Sequence, residues 1–276
     1  MKSGIYLVAT PIGNIGDITL RGIDVLKKAE IIACEDTRVS RKLFSLLGIS
    51  TLGKTFIAMH DHNERDISSE LIAFATKGNI VAYISDAGSP LISDPGYKLA
   101  RKCKDNNVFF TTIPGACAAI CGLQLSGLPT DKFMFAGFIP NKDKARKETI
   151  LKYKELDATI VFYETSKRLI KTLETIAEIL DNREIAVARE ISKMYEECKN
   201  GSAQDLIKYY TDNPPKGEIV LMIAPTTEKE EINYIEELRQ ELSQSSLKTA
   251  VKYIVEKHKL NKNDVYQTAL EIKNGQ

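Results

Sequence analysis

Short apolar runs recur along the first half of the chain. Each is followed by a polar or glycine-rich break and then by apolar residues at helical spacing. Residues 4–10, 31–34, 55–59, 79–84 and 108–113 have the length and β-branched content of buried strands. Between them, Leu20, Ile23, Val25 and Leu26 mark a helix over 19–30, and a second helix over 40–47 stops at Gly48, a suitable C-cap. Further helices follow over 64–76, behind residue 96, and over 116–125. Strands alternating with helices predict a largely parallel, doubly wound sheet. One break is unlike the others: residues 85–96, SDAGSPLISDPG, contain nine Ser, Asp, Gly or Pro among twelve. A connection of this kind usually needs only about 2–6 residues. A longer loop at the C-terminal end of a parallel strand is where such sheets bind ligands. The next helix is expected to start behind Asp94 as N-cap, with Pro95 at its first position.

After residue 129 the pattern changes. Strands are expected over 132–138, 159–163, 184–189 and 218–224, with a hairpin strand near 194–198. Helices are expected from Pro140-Asn141 to about Leu156, over 166–180, and from Ser202. Pro225-Thr-Thr reads as a linker, and the remainder as helices over 232–242, 247–258 and 263–273. The organisation is therefore an α/β domain over 1–115, a second over 116–226, and a helical extension over 227–276.

Composition changes this picture little. The 276 residues carry a net charge of +1, so a nucleic-acid partner requires a local basic surface. The N-terminus lacks a signal-peptide apolar region, and no stretch approaches the ~20 apolar residues of a membrane span. Five scattered cysteines, an odd number, suit a reducing compartment. A cytoplasmic protein without a membrane association is expected.

Four strand-ending loops of the first domain are polar or glycine-rich: 11–17, 35–38, 60–64 and 85–96. They should line one cleft, together with the small-residue loop 114–119. Neither G-x-x-x-x-G-K-[ST] nor G-x-G-x-x-G occurs, which argues against a P-loop or a dinucleotide-binding enzyme. His60-x-His62 has no distal partner cluster, so loop pinning outweighs metal binding and no metal is expected. Cys117 and Cys121 lie one helical turn apart with no second pair, as small core residues do. The helix after Pro140 carries Lys142, Lys144, Arg146, Lys147, Lys152 and Lys154, a candidate phosphate-contacting ridge beside the plainer reading of a solvated face.

Several of these stretches carry a family resemblance: TPIGN (10–14), ACEDTR (33–38), HDHNE (60–64), SDAGSPLISDPG (85–96), IPGACAA (113–119), GFIP (137–140), FYE (162–164), ARE (188–190) and KGEIVL (216–221). In order and over nearly the whole chain, they resemble the ribosomal RNA small-subunit methyltransferase I family of the tetrapyrrole methylase superfamily. The resemblance implies a two-domain tetrapyrrole-methylase-like fold with a small helix-turn-helix-like C-terminal extension. It also implies a homodimer and S-adenosylmethionine between the domains. The implied reaction is 2′-O-methylation of a cytidine in the decoding region of small-subunit (16S) rRNA. Carried over residue by residue, the cofactor contacts are Pro11, Asp86, Ala87, Gly88, Ser89, Leu91, Ile92, Cys117, Ala118, Phe162 or Tyr163, Ala188 and Gly217. Where relatives commonly read Ser-Pro-His after FYE, this chain has Thr165-Ser166-Lys167, so no role resting on that histidine carries over. Lys167 is placed instead to meet a phosphate, with Lys144, Arg146 and Lys147 as further substrate contacts.

A ribose hydroxyl is a weak acid, and an acceptor for its proton assists methyl transfer. Glu35 and Asp36 are the favoured pair, with Arg38 orienting them or binding phosphate; helix capping is the competing reading of the same residues. Two other functions remain: methylation of a small molecule such as a tetrapyrrole precursor, and non-catalytic ribosome binding. The lysine-rich helix and the helical tail, which a small substrate does not need, speak against the first.

Overall fold

A computed structural model of the chain describes residues 1–180, 183–226, 234–258 and 260–274. The chain forms two compact units, Met1–Thr226 and Thr227–Gln276. The larger unit contains two five-stranded sheets. The first consists of β1 (Gly4–Val8), β2 (Ile31–Cys34), β3 (Thr55–Ala58), β4 (Ile80–Ile84) and β5 (Phe110–Ile113). All its pairings are parallel, in the order β3-β2-β4-β1-β5. Helices α1 (Leu20–Lys28), α2 (Thr37–Leu46), α3 (Glu64–Thr76) and α4 (Tyr97–Asp105) connect them. One face packs Val25, Leu26 and Phe44 against Tyr6, Val8 and Ile32. The other packs Leu71 and Leu99 against Ile5, Val81 and Tyr83. Both faces are covered, which is why the strands read as continuous apolar runs.

The strand order positions the site. Because β4 lies between β2 and β1, the loops that follow these three strands, 85–96, 35–36 and 9–19, emerge side by side. The loops after β3 and β5 flank them at the sheet edges.

The second sheet is mixed. Its strands β6 (Phe133–Phe138), β7 (Thr159–Thr165), β8 (Ile185–Arg189), β9 (Glu197–Gly201) and β10 (Glu218–Ile223) are ordered β6-β7-β10-β8-β9. Only β6 and β7 run parallel. Helices α6 (Asp143–Lys152), α7 (Leu169–Ile179) and α8 (Ala203–Asp212) supply the core of one face, with Ile160, Phe162, Val187 and Leu221. Helix α5 (Ala118–Leu125) packs on the other, with Val161, Ala186, Ala188 and Val220. Strand residues alternate strictly between the two cores.

Several expected boundaries move. Helix α4 begins at Tyr97 rather than behind Asp94, because Gly96 is its N-cap, at a φ of 131° open to glycine. Its first amides are capped from elsewhere: Glu64 Oε1 accepts from Gly96 N at 2.9 Å and from Lys98 N at 2.8 Å. Helix α2 begins earlier than expected because Asp36 caps it, accepting from Arg38 N at 2.8 Å. The basic helix α6 is shorter than the predicted span, and the hairpin strand β9 lies a few residues later.

In the smaller unit, α9 (Ile235–Gln244), α10 (Leu247–His258) and α11 (Lys262–Asn274) enclose a core of Leu238, Val251, Ile254 and Val265. The expected start of the first of these helices at Ile232 and the end of the linker at Thr227 lie outside the described residues. Among the described residues no helix is long and apolar enough to cross a membrane.

Candidate functional site

A cavity of about 360 Å³ opens where the loops after β1, β2 and β4 meet the second sheet. That volume lies within the range of small-ligand sites. Ile12, Glu35, Asp86–Ser89, Ile92 and Asp94 form its wall on the first sheet. Ala118, Tyr163, Gly217 and Val220 face them from the second, with Glu190, Ile191 and Lys193 from the β8–β9 hairpin.

The 85–96 loop is held at both ends. Thr10 and Gly88 exchange backbone hydrogen bonds, N–H to O at 2.9 and 3.1 Å. Thr10 Oγ1 donates to Ser85 O at 3.2 Å, and Ser89 Oγ to Ala116 O at 2.9 Å. Asp86 is oriented by the neighbouring loop, since Asp36 N–H donates to its Oδ1 at 3.1 Å. Across the cleft, Ser192 Oγ donates to Asp17, joining the hairpin to the loop after β1. Gly217, at a φ of 80° that disfavours any side chain, is also a close-approach position: a Cβ there runs into the Glu190 carboxylate.

The wall is acidic. Burial, then the charge of Asp86, raises the Glu35 carboxyl above its ordinary value. Burial likewise raises Asp86, against the backbone bond from Asp36 that lowers it. Burial, then Glu35, pushes Asp94 up to about 6. Such a wall favours a cationic ligand and offers acceptors to hydroxyl groups. Ile12, Ala118, Ile191 and Val220 supply an apolar surface for a flat ring.

Of the residues expected to hold the cofactor, Asp86, Ala87, Gly88, Ser89, Ile92, Ala118, Tyr163 and Gly217 line this cavity. Five do not. Pro11 adjoins it, with Ile12 taking its place on the wall. Leu91, at a φ of 72°, packs into the core beside Tyr83 and Leu99. Cys117 packs with α5 against the second sheet. Ala188 is wholly buried in the same cluster, and Phe162 points into the opposite core because its neighbour Tyr163 faces the cavity.

Glu35 lines the cavity, whereas Asp36 and Arg38 do not. Asp36 caps α2 and pairs with Arg38, Nη2 to Oδ2 at 2.6 Å. The Arg38 hydrogen bonds hold its carboxyl down at about 2. In the expected basic ridge, Arg146 is turned inward and buried: it donates to Thr175 Oγ1 at 2.8 Å, Asn141 O at 3.1 Å and Asp143 Oδ1 at 2.7 Å. Lys147 pairs with Glu178 at 2.8 Å. Lys144 extends into solvent and Lys167 is exposed in the turn before α7. Arg146 is therefore a structural residue. Arg146→Ala is expected to cost about 1–3 kcal/mol, because its partners lose their donors; a denaturant titration of the variant checks this. In the 60–64 loop, His60 N–H donates to Asn63 Oδ1 at 2.8 Å and Asn63 Nδ2 to Ala58 O at 3.1 Å. Among the described residues no group of three or more His, Cys, Asp or Glu is placed to hold a metal.

Sequence reasoning missed Ile12, Asp94, Glu190, Ile191 and Lys193 as wall residues. Ile12 and Asp94 lay inside quoted motifs and Glu190 ended another, so membership of a motif was the available signal.

Comparison with known proteins places this architecture. The model of the Tetrapyrrole (Corrin/Porphyrin) Methylases matches residues 4–207. A ribosomal RNA small subunit methyltransferase I from Erythrobacter litoralis is 49% identical over 275 residues, 99% of this chain and 96% of the relative. One from Rickettsia prowazekii is 42% identical, covering 96% of each. Among solved structures, a uroporphyrin-III-C-methyltransferase from Thermus thermophilus superposes with a TM-score of 0.56 at 20% identity, covering 81% of this chain and 94% of that one. Diphthine synthase does so with a TM-score of 0.61 at 16% identity, covering 81% and 90%. These last two share the fold. The chain belongs to the tetrapyrrole methylase family and, within it, to the ribosomal RNA small subunit methyltransferase I family.

Proposed function

We propose that this protein is an S-adenosylmethionine-dependent methyltransferase that modifies the 2′-hydroxyl of a cytidine in the decoding region of small-subunit rRNA. The observation that carries the reading is near-full-length identity of up to 49% to relatives named for small-subunit rRNA methylation. The cavity's chemistry supports the choice of cofactor. Its apolar patch suits an adenine, and its carboxylates suit ribose hydroxyls and a sulfonium. When bound, S-adenosylmethionine supplies a methyl group already activated on sulfur. Asp86 would hold the cofactor's hydroxyls, Ala87–Ser89 and Ala118 would bracket it with backbone groups, and Tyr163 and Ile12 would exclude water. Holding the hydroxyl in line with the methyl then supplies much of the barrier reduction. Lys144 and Lys167 are the cations we assign to phosphate contacts, and a homodimer is part of the reading, to be checked by light scattering.

The test offers labelled S-adenosylmethionine to assembled small subunits, naked rRNA and a tetrapyrrole in parallel. Label is expected in RNA, at a nucleotide whose phosphodiester resists alkaline hydrolysis, because the 2′-oxygen is blocked. Label confined to the tetrapyrrole overturns the reading. Replacing Lys144 and Lys167 together by alanine should flatten the salt dependence of RNA binding by about 0.7–0.9 in log–log slope per lost phosphate contact. An unchanged slope clears both residues of that role.

A further inference from the structure

The last residues of the 85–96 loop are held more tightly than a connection requires. Ser93 has a φ of 65° and Gly96 one of 131°. Left-handed backbone at a residue with a side chain persists only where the surroundings over-determine it. Here two buried side chains do so. The Tyr83 hydroxyl of β4 donates to Pro95 O at 2.6 Å, and Glu64 of α3 accepts from Gly96 N at 2.9 Å. Both bonds grip the Pro95–Gly96 peptide, and the residue immediately before it is Asp94, half-buried on the cavity wall.

The other carboxylates on this wall are occupied or wetter. Glu164 takes Thr165 N–H and Arg168 Nε on one oxygen and the Thr172 hydroxyl on the other. Glu190 is paired with Lys193 at 2.9 Å. Asp86 receives the Asp36 amide, and both Asp86 and Glu35 are exposed. The groups facing Asp94 are Ser85 and Asp86 of its own loop, Glu35 from the loop after β2, Asp61 from the loop before α3, and the phenols Tyr83 and Tyr163. The lysine that shares the cavity, Lys193, is paired with Glu190 at 2.9 Å. The Ser85 hydroxyl donates to Ala87 O at 3.3 Å and to Gly88 O at 3.2 Å, and its nearness offsets part of the burial that raises the Asp94 carboxyl.

We propose that Asp94 accepts the proton of the ribose hydroxyl during methyl transfer, and that Tyr83 and Glu64 are positioning residues that aim it into the cavity. The inference rests on the function proposed above. The hydroxyl oxygen forms its bond to the methyl carbon as the carbon–sulfur bond breaks with its electron pair left on sulfur, and the O–H proton passes to a carboxylate oxygen of Asp94. The sulfonium charge and the carboxylate charge vanish together, and the acid then returns its proton to solvent. Only the ionised carboxylate can act, so turnover should fall as pH drops through about 6.

Asp94→Asn supplies the test, with a readout that does not need turnover. The folded carboxyl titrates above its unfolded value, so its ionisation disfavours the fold once pH rises through about 6. Asparagine removes that term. The variant should melt higher than the wild type at pH 8, and the difference should vanish near pH 4. Its methylation rate on small subunits should drop about 100-fold or more, with S-adenosylmethionine affinity within about three-fold (less than the tenfold that 1.4 kcal/mol represents). Asp94→Glu should recover part of the rate, and Tyr83→Phe should lower kcat without moving cofactor affinity. A variant of near wild-type rate, an equal loss in cofactor affinity, or a lower melting temperature at pH 8 overturns the proposal. Wild-type label confined to a tetrapyrrole overturns the RNA reading, and this inference with it. RNA label beside an unimpaired Asp94→Asn overturns this inference alone.

Discussion

Replacing Asp86 by alanine is expected to weaken S-adenosylmethionine binding about 10- to 100-fold while leaving the fold intact. The side chain lies on the cavity wall, and its contact within the protein is one hydrogen bond from the Asp36 amide at 3.1 Å. The fold therefore loses little. A cofactor hydroxyl or cation loses a charge-assisted partner worth about 1.5–3 kcal/mol, and each 1.4 kcal/mol is about tenfold in affinity. Asp86→Asn keeps one acceptor oxygen and should fall between the two. Calorimetric titration of both variants decides the matter: an alanine variant with wild-type affinity removes Asp86 from the site.

Glu64→Ala should do the opposite, damaging stability by about 2–4 kcal/mol. The Glu64 carboxylate is buried, accepts from the amides of Gly96 and Lys98, and lies 3.4 Å from Lys98 Nζ. Alanine leaves both amides without partners at the start of a helix, where a negative charge is also favoured by the helix dipole. Glu64→Gln keeps an acceptor and loses the charge, so it should recover more than half of the loss. Denaturant midpoints measure both, and an alanine variant as stable as the wild type refutes the capping role. Because the same carboxylate holds the end of the 85–96 loop, amide exchange at Ser93, Asp94, Gly96 and Tyr97 should rise in the alanine variant even where the rest of the sheet stays protected.

Both variants concern a loop whose importance was visible in composition, although its architecture was not. Turn-forming residues after an apolar run marked 85–96 as a long connection at a strand end, and the ordered motifs along the chain assigned the family. The expected helix start at Asp94-Pro95 failed because the cap comes from Glu64, 32 residues earlier. A local cap can be read from spacing, whereas one supplied across the fold cannot. The same limit applied to α6, where six basic residues read as a ridge. Arg146 turns inward because Thr175, 29 residues on, meets it.

By itself, the sequence determined which segments become strands and helices, because apolar periodicity is a property of neighbouring residues. It also determined the family, because ordered motifs over 276 residues are specific. Tertiary structure alone decided which loops meet. Strand β4 inserts between β2 and β1, which brings Glu35, Asp86 and Asp94 to one wall. Period-two alternation in FYE put Phe162 and Tyr163 on opposite faces, but only the packing of α5 and the helical layer settled which face holds the cavity. The proton acceptor proposed here depends on the same kind of placement: Asp94 is one of many aspartates in the sequence, and only long-range contacts half-bury it on the cavity wall.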